Sequence, residues 1–400
     1  MSMLRDLGRC DAGRRFSTTV TALVLALAAG PLVVSARRVS ASPPPATPVP
    51  DSATVAADSA AAPESDDRVV LPTRRCGDLF IAETMIDGKG PFSMVLDTGA
   101  SVTAITPKVA AETGARSALS RLAIGRFEVS GRIRCQVRNL DELSLAIGTP
   151  IDGILGHQVF HQALLTYDYP AREVRVRVGS LTDDMPGVAP MSTSKRPFIG
   201  AVVDGRTVNV LLDTGSSQGL SLAKLDRYAR EGPVRAVGMR AGVDGLTELR
   251  AARLAGTVRF GALVLERPVV HEATSDNLLG QAVLRDFVVT LDQQRGRVQI
   301  VRPDGTAVVE PVHSPALYGL GAALEPVPDG LRVRETIAGS AAAERLQPGD
   351  VIVAIDGMSI ADLGCARSDR EDGMPATSTL RVKRGTAILD ISITTGLQVP

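Results

Sequence analysis

The chain has 400 residues, with 44 basic and 44 acidic side chains and a formal net charge of zero. The charges are scattered, aromatics make up 3% and Trp is absent, so there is neither the basic footprint nor the stacking platform that nucleic-acid binding requires. At this length about two to four domains are expected, each with its own core.

Residues 1–41 read as a signal peptide or signal anchor. Arg5, Arg9, Arg14 and Arg15 form a basic start, and VTALVLALAA at 20–29 with the following Gly30, Pro31 and LVVSA forms a short apolar run ending in small residues. The run is short and broken for a bilayer core, so membrane attachment is expected only through an uncleaved anchor. GRRFS at 13–17 resembles a twin-arginine signal weakly. Residues 42–67, rich in Pro, Ala and Ser, cannot bury enough apolar surface to order themselves and read as a disordered linker. The folded part is expected from residue 68, in the periplasm or cell envelope.

Of the four cysteines, Cys10 lies in the signal. Cys76 and Cys135 fall in one expected domain and are candidates for a bridge in an oxidising compartment, which would leave Cys365 unpaired. His157 and His161 in HQVFH stand at i and i+4, but Gln158 replaces the Glu that a zinc-protease motif needs, and both are expected at the surface. No metal and no cofactor is expected.

From residue 68 the chain reads as short strands, and the pattern runs twice. LFIAETMIDGKGPFSMVLDTGAS at 79–101 has an apolar strand, an Asp-Gly turn at Asp87 and Gly88, and a second strand ending at Asp97. PFIGAVVDGRTVNVLLDTGSS at 197–217 has the same plan around Asp204 and Gly205 and ends at Asp213. Downstream, IDGILGHQVF at 151–160 matches DNLLGQAVL at 276–284. Each is followed by a strand carrying an Asp, Asp168 or Asp292. Gly156 and Gly280 are 124 residues apart, as are Asp168 and Asp292, so this part of the repeat aligns without a gap. Two delivered aspartates suit a chemistry that needs an acid and a base at once. One carboxylate activates water while a second, protonated carboxyl polarises a carbonyl.

With DTGA or DTGS after a strand and Ile154-Leu155-Gly156 or Leu278-Leu279-Gly280 some sixty residues on, each copy resembles the retropepsin-like aspartic protease family, over about residues 74–303. The resemblance implies that Asp97 and Asp213 are the catalytic dyad of one peptidase site. It also implies that Thr98 and Thr214 hydrogen-bond across the interface, and that Gly99 and Gly215 let the backbone pass close to the carboxylates. The interval from Asp97 to Gly156 is 59 residues and that from Asp213 to Gly280 is 67. In the family this interval holds the flap. Gly242, Val243, Asp244 and Gly245 read as a hairpin tip contacting substrate, so the second half is expected to supply the main flap. The first half offers a turn at Ser130 and Gly131.

The segment at 315–360, with YGLG at 318–321 and LQPGDVIVAIDG at 346–357, resembles a PDZ domain of the type attached to bacterial envelope proteases. The resemblance implies that Tyr318, Gly319, Leu320 and Gly321 offer N–H groups to a peptide carboxylate, and that the peptide extends a sheet edge.

The expected fold is therefore mostly β, with two retropepsin-like acid-protease lobes in tandem plus a C-terminal PDZ domain. The lobes are expected at 68–180 and 196–303, joined by a linker at 181–195, and the PDZ domain at 312–396. The expected function is that of an exported aspartic-type endopeptidase. Its partners are a peptide or protein substrate and a C-terminal peptide ligand of the PDZ domain. The alternative is a non-catalytic envelope protein that binds peptides as a scaffold.

Overall fold

The computed structural model describes residues 68–192, 195–242, 245–365 and 377–400, together with the two-residue strand Val33–Val34. The rest of the expected signal and the linker at 42–67 lie outside the described residues, as do Val243 and Asp244. The fold is mostly β.

Both Asp-Gly dipeptides make tight hairpin turns. Leu79–Ile86 pairs with Lys89–Asp97 around Asp87 and Gly88 (φ 48° and 80°), and Phe198–Val203 pairs with Arg206–Leu212 around Asp204 and Gly205 (φ 47° and 74°). Two consecutive left-handed residues twist the turn in the sense of the strands, which fixes the register. Each second strand is buried over its last apolar residues, Met94 to Leu96 and Val210 to Leu212, and its aspartate follows directly on them.

The apolar-apolar-Gly segments lie alongside. Gly153–Gly156 runs parallel to Lys89–Asp97 with Gly156 opposite Asp97, and Leu278–Leu279 runs parallel to Arg206–Leu212. A further antiparallel strand covers each of them, Thr103–Ile105 in the first half and Leu220–Leu222 in the second. A six-stranded sheet joins the halves. At its centre Leu164–Asp168 is antiparallel to Val288–Asp292, with Thr166 opposite Thr290. Asp168 and Asp292 cap the turns that follow, accepting from the N–H of Ala171 (2.9 Å) and Arg295 (3.0 Å). One apolar core runs through both halves from Leu71 to Val308.

The C-terminal segment has a separate core of Val333, Ala342, Ile352, Val382 and Ile393. Its main sheet runs in the order Ala322–Val327, Gly330–Thr336, Val351–Ile355, Thr377–Arg384, Ala387–Thr394. The Pro-Gly-Asp turn is held by buried Asp350, which accepts from the N–H of Gln347 (2.8 Å) and from Nε and Nη2 of Arg384 (2.8 Å each).

Three expectations are corrected here. Cys76 is bonded to Cys365, with Cα atoms 4.5 Å apart, and Cys135 is free and buried. Cys135 belongs to the main core, whereas Cys76 lies in a smaller cluster with Ile81, Leu140 and Ile151, against which Cys365 packs. Facing different clusters, Cys76 and Cys135 do not meet. The first-half hairpin, Ala118–Ile124 with Phe127–Val137, turns at Gly125 (φ 56°) and Arg126 rather than at Ser130 and Gly131. Those two residues lie inside the second strand, near a register shift between Leu119 and Arg121. His157 is buried at 3% exposure because it follows directly on the buried strand Gly153–Gly156, and only His161 is exposed.

Candidate active site

Asp97 ends one buried strand and Asp213 follows another, and the threonines after them lock the two loops together. The Thr98 hydroxyl donates to the carbonyl of Leu212 (2.7 Å) and accepts from the N–H of Thr214 (3.0 Å). Reciprocally, the Thr214 hydroxyl donates to the carbonyl of Leu96 (3.2 Å) and accepts from the N–H of Thr98 (3.1 Å). Both threonines are 1% exposed, so these four bonds are shielded from water.

The aspartates meet beside this knot. Asp97 Oδ1 accepts from the N–H of Gly99 (2.7 Å) and of Ala100 (3.2 Å), and Asp213 Oδ1 from that of Gly215 (2.9 Å). A Cβ on Gly99 would stand 2.6 Å from Asp213 Cγ, and one on Gly215 would stand 2.5 Å from Asp97 Cγ. Only glycine leaves room for the opposing carboxyl, and the two carboxyls hydrogen-bond to each other. Burial above all, and then the charge of Asp213, holds the Asp97 carboxyl well above the usual carboxylate range, against the pull of the Gly99 and Ala100 amides. Such a pair keeps one shared proton and therefore contains an acid and a base together.

Residues 82–159 match the aspartyl protease family. Residues 311–369 match the PDZ domain family, so both resemblances read from the motifs are borne out. No curated protein is significantly similar to the chain. Among solved structures, a retropepsin-like aspartic protease from Rickettsia conorii is similar at 17% identity over 28% of this chain and 92% of that chain, with a TM-score of 0.22. The aspartyl protease match spans Asp97, Thr98, Gly99 and the turn at Gly156.

Around Asp97 and Asp213, several residues have roles that sequence reasoning missed. A Cβ on Gly156 would meet the Ala100 carbonyl oxygen at 2.9 Å, and one on Gly280 would meet the Ser216 carbonyl oxygen at 2.7 Å, so each glycine lets a strand pass under its aspartate loop. Just beyond them, His157 N–H donates to Ala100 O and Gln281 N–H to Ser216 O (2.9 Å each). The buried Gln281 side chain then donates from Nε2 to the carbonyl of Thr214. The gapless spacing of 124 residues aligns Gln281 with His157, a signal present in the sequence. Burial pushes the His157 imidazole down to about 3, which keeps it neutral. Phe80, Tyr167 and Tyr169 form an aromatic cluster with ring centroids 5.4 to 6.1 Å apart, and burial raises the Tyr167 phenol above its usual range.

The structure gathers Asp97, Thr98, Gly99, Asp213, Thr214 and Gly215 at one point. Gly242 and Gly245 instead close the ladder of a long hairpin, Arg235–Gly242 with Gly245–Arg253. The PDZ loop lies in the C-terminal segment. Tyr318 and Gly319 pair with Leu397 and Gly396, the Leu320 carbonyl accepts from the N–H of Ala342 (3.2 Å), and the Gly321 carbonyl accepts from that of Ile337 (2.8 Å). Gly321 has φ 75°, and a Cβ there would stand 2.2 Å from Ser340 Cβ. Among the described residues no group of three or more His, Cys, Asp or Glu side chains is arranged to hold a metal ion.

Proposed function

We propose that this chain is an exported aspartic endopeptidase in which Asp97 and Asp213, from two retropepsin-like lobes, act as one dyad. The lobes occupy 68–180 and 196–303 with the linker 181–195 between them, and a PDZ domain at 312–396 recruits peptide or protein substrates. The observation that carries the reading is the reciprocal Thr98–Thr214 knot with the two carboxyls in hydrogen-bond contact beside it.

In this reading the ionised carboxylate takes a proton from a water held between the pair, and the water oxygen attacks the scissile carbonyl carbon. The protonated carboxyl donates to the carbonyl oxygen, giving a neutral tetrahedral diol. Collapse returns one proton to the dyad and delivers one to the leaving nitrogen. Each aspartate is acid in one step and base in another, which is why neither suffices alone. The long hairpin Arg235–Gly242 with Gly245–Arg253 serves as the main flap, excluding water from the bound peptide. Export to the periplasm or cell envelope rests on the basic start and apolar run of residues 1–41.

The experiment is cleavage of an internally quenched peptide by Asp97→Asn and Asp213→Asn. Each is expected to lose at least about a hundredfold in kcat/KM, the scale of a lost general acid or base. Retained activity in either variant overturns the proposal.

A further inference from the structure

The PDZ domain is fastened to the peptidase halves at two places. The first is Arg253, which ends the long hairpin and is 8% exposed. Its Nη1 donates to the carbonyls of Arg267 (2.5 Å) and Ser314 (3.1 Å), its Nη2 to that of Pro315 (3.1 Å) and its Nε to a main-chain oxygen of Pro400. One guanidinium thus holds both ends of the described PDZ segment at the base of the hairpin.

The second place is the Cys76–Cys365 disulfide, joining residues 289 apart. Cys365 packs with Leu79, Leu143 and Ile147 against the cluster that holds Cys76, so the bridge sits on the helix Asp141–Ile147. Gly364 lies so near this helix that a Cβ would stand 3.2 Å from the carbonyl oxygen of its C-cap, Gly148.

That helix comes within 8 Å, Cα to Cα, of both the hairpin strand Arg235–Gly242 and the PDZ strand Ala322–Val327, and these two strands come within 8 Å of each other. Each is the last strand of its own sheet, and among the described residues no ladder joins them. A last strand carries unpaired N–H and C=O groups that a peptide strand can extend. Hydrogen-bonded strands lie about 4.8 Å apart, so a peptide between these two would need roughly twice that separation. The two strands approach each other more closely than that, to within 8 Å between Cα atoms.

We propose that Cys76–Cys365 is a redox latch: oxidised, it keeps the hairpin strand Arg235–Gly242 and the PDZ edge strand Ala322–Val327 closed on each other, and its reduction frees both edges together, the domain turning about the Arg253 contact. Cys76 is 1% exposed and Cys365 half-buried, so attack falls on Cys365. The thiolate of a dithiol reductant bonds to Cys365 Sγ and breaks the Sγ–Sγ bond, and the displaced Cys76 thiolate takes up a proton. The second thiol of the reductant then closes its own disulfide and releases Cys365 as a thiol. Two electrons and two protons pass from the reductant to the protein.

The test is hydrogen exchange on the full chain, oxidised, reduced with dithiothreitol, and as Cys365→Ser, none of which requires turnover. Amides of 235–242 and 322–327 are expected to exchange at least about tenfold faster in the reduced protein and in Cys365→Ser, with 288–292 unchanged. Dithiothreitol is expected to add nothing to Cys365→Ser. Unchanged exchange in both segments, or acceleration of only one, overturns the latch. Equal acceleration of 288–292 also overturns it, because the disulfide would then only stabilise the whole fold.

Discussion

Thr166 and Thr290 face each other where the central strands of the two halves meet, their hydroxyl oxygens 3.0 Å apart. They are 124 residues apart in the chain, the spacing that also separates Gly156 from Gly280. A second threonine pair, Thr98 and Thr214, repeats the relationship beside the carboxyls. Equivalent residues thus meet twice along one line, which is what a local two-fold relation between the halves requires.

Thr98→Val keeps the volume but leaves the Leu212 carbonyl and the Thr214 N–H without the bonds they make to the hydroxyl. Two buried groups stripped of partners cost about 2–4 kcal/mol together, so the denaturation midpoint should fall accordingly. Thr98→Ser should restore most of it. A Thr98→Val midpoint equal to that of the parent would mean the knot contributes nothing.

Gly99→Ala and Gly215→Ala place a methyl group 2.5 to 2.6 Å from the opposing carboxyl carbon. The carboxyls must move apart, so each variant is expected to lose about a hundredfold or more in kcat/KM. Circular dichroism should show the sheets retained. Near-parental turnover in either variant would contradict the close approach.

The raised Asp97 carboxyl has a consequence for stability. The folded state holds that proton to higher pH than the unfolded chain does, so the contribution is fully present below about pH 4 and is lost as pH rises through the folded value. Asp97→Asn removes the ionisation, so its melting temperature relative to the parent is expected to climb above pH 4. Activity of the parent should follow a bell, falling on the acid side when both carboxyls are protonated and on the basic side when the shared proton is lost. Melting-temperature differences that do not change between pH 3 and 8 would contradict the assignment.

Replacing Val243 to Gly245 with a Pro-containing turn is expected to lower peptide turnover about tenfold, as closure of the long hairpin is impeded. The same change at Gly125 and Arg126, where the first-half hairpin turns, should be tolerated. Equal sensitivity at the two turns would remove the flap role of the second.

What could be read from the sequence was whatever local chemistry dictates. Asp87-Gly88 and Asp204-Gly205 each stand between two apolar strand segments, where Asp-Gly favours a two-residue left-handed turn, so both hairpins and the ends of the aspartate strands followed from the letters. The gapless 124-residue spacing placed the closing strands. Ser130 and Gly131 looked like a turn because Ser-Gly is locally permissive, yet the ladder turned at Gly125 and left Gly131 inside the strand. The pairing of Cys76 with Cys365 depends on the PDZ domain docking beside the Asp141–Ile147 helix, a tertiary choice that no local pattern records. The burial of His157 and the bond from Gln281 to the Thr214 carbonyl likewise arise only when strands stack under the aspartate loops.

The central claim is that Asp97 and Asp213 are two members of one site, and the most direct test is the cycle of Asp97→Asn, Asp213→Asn and the double variant, measured as kcat/KM on one quenched peptide. Residues acting as a unit are non-additive, so each single variant should lose nearly all activity and the double variant little more. Single losses that are partial and multiply in the double variant would show two independent aspartates and contradict the account.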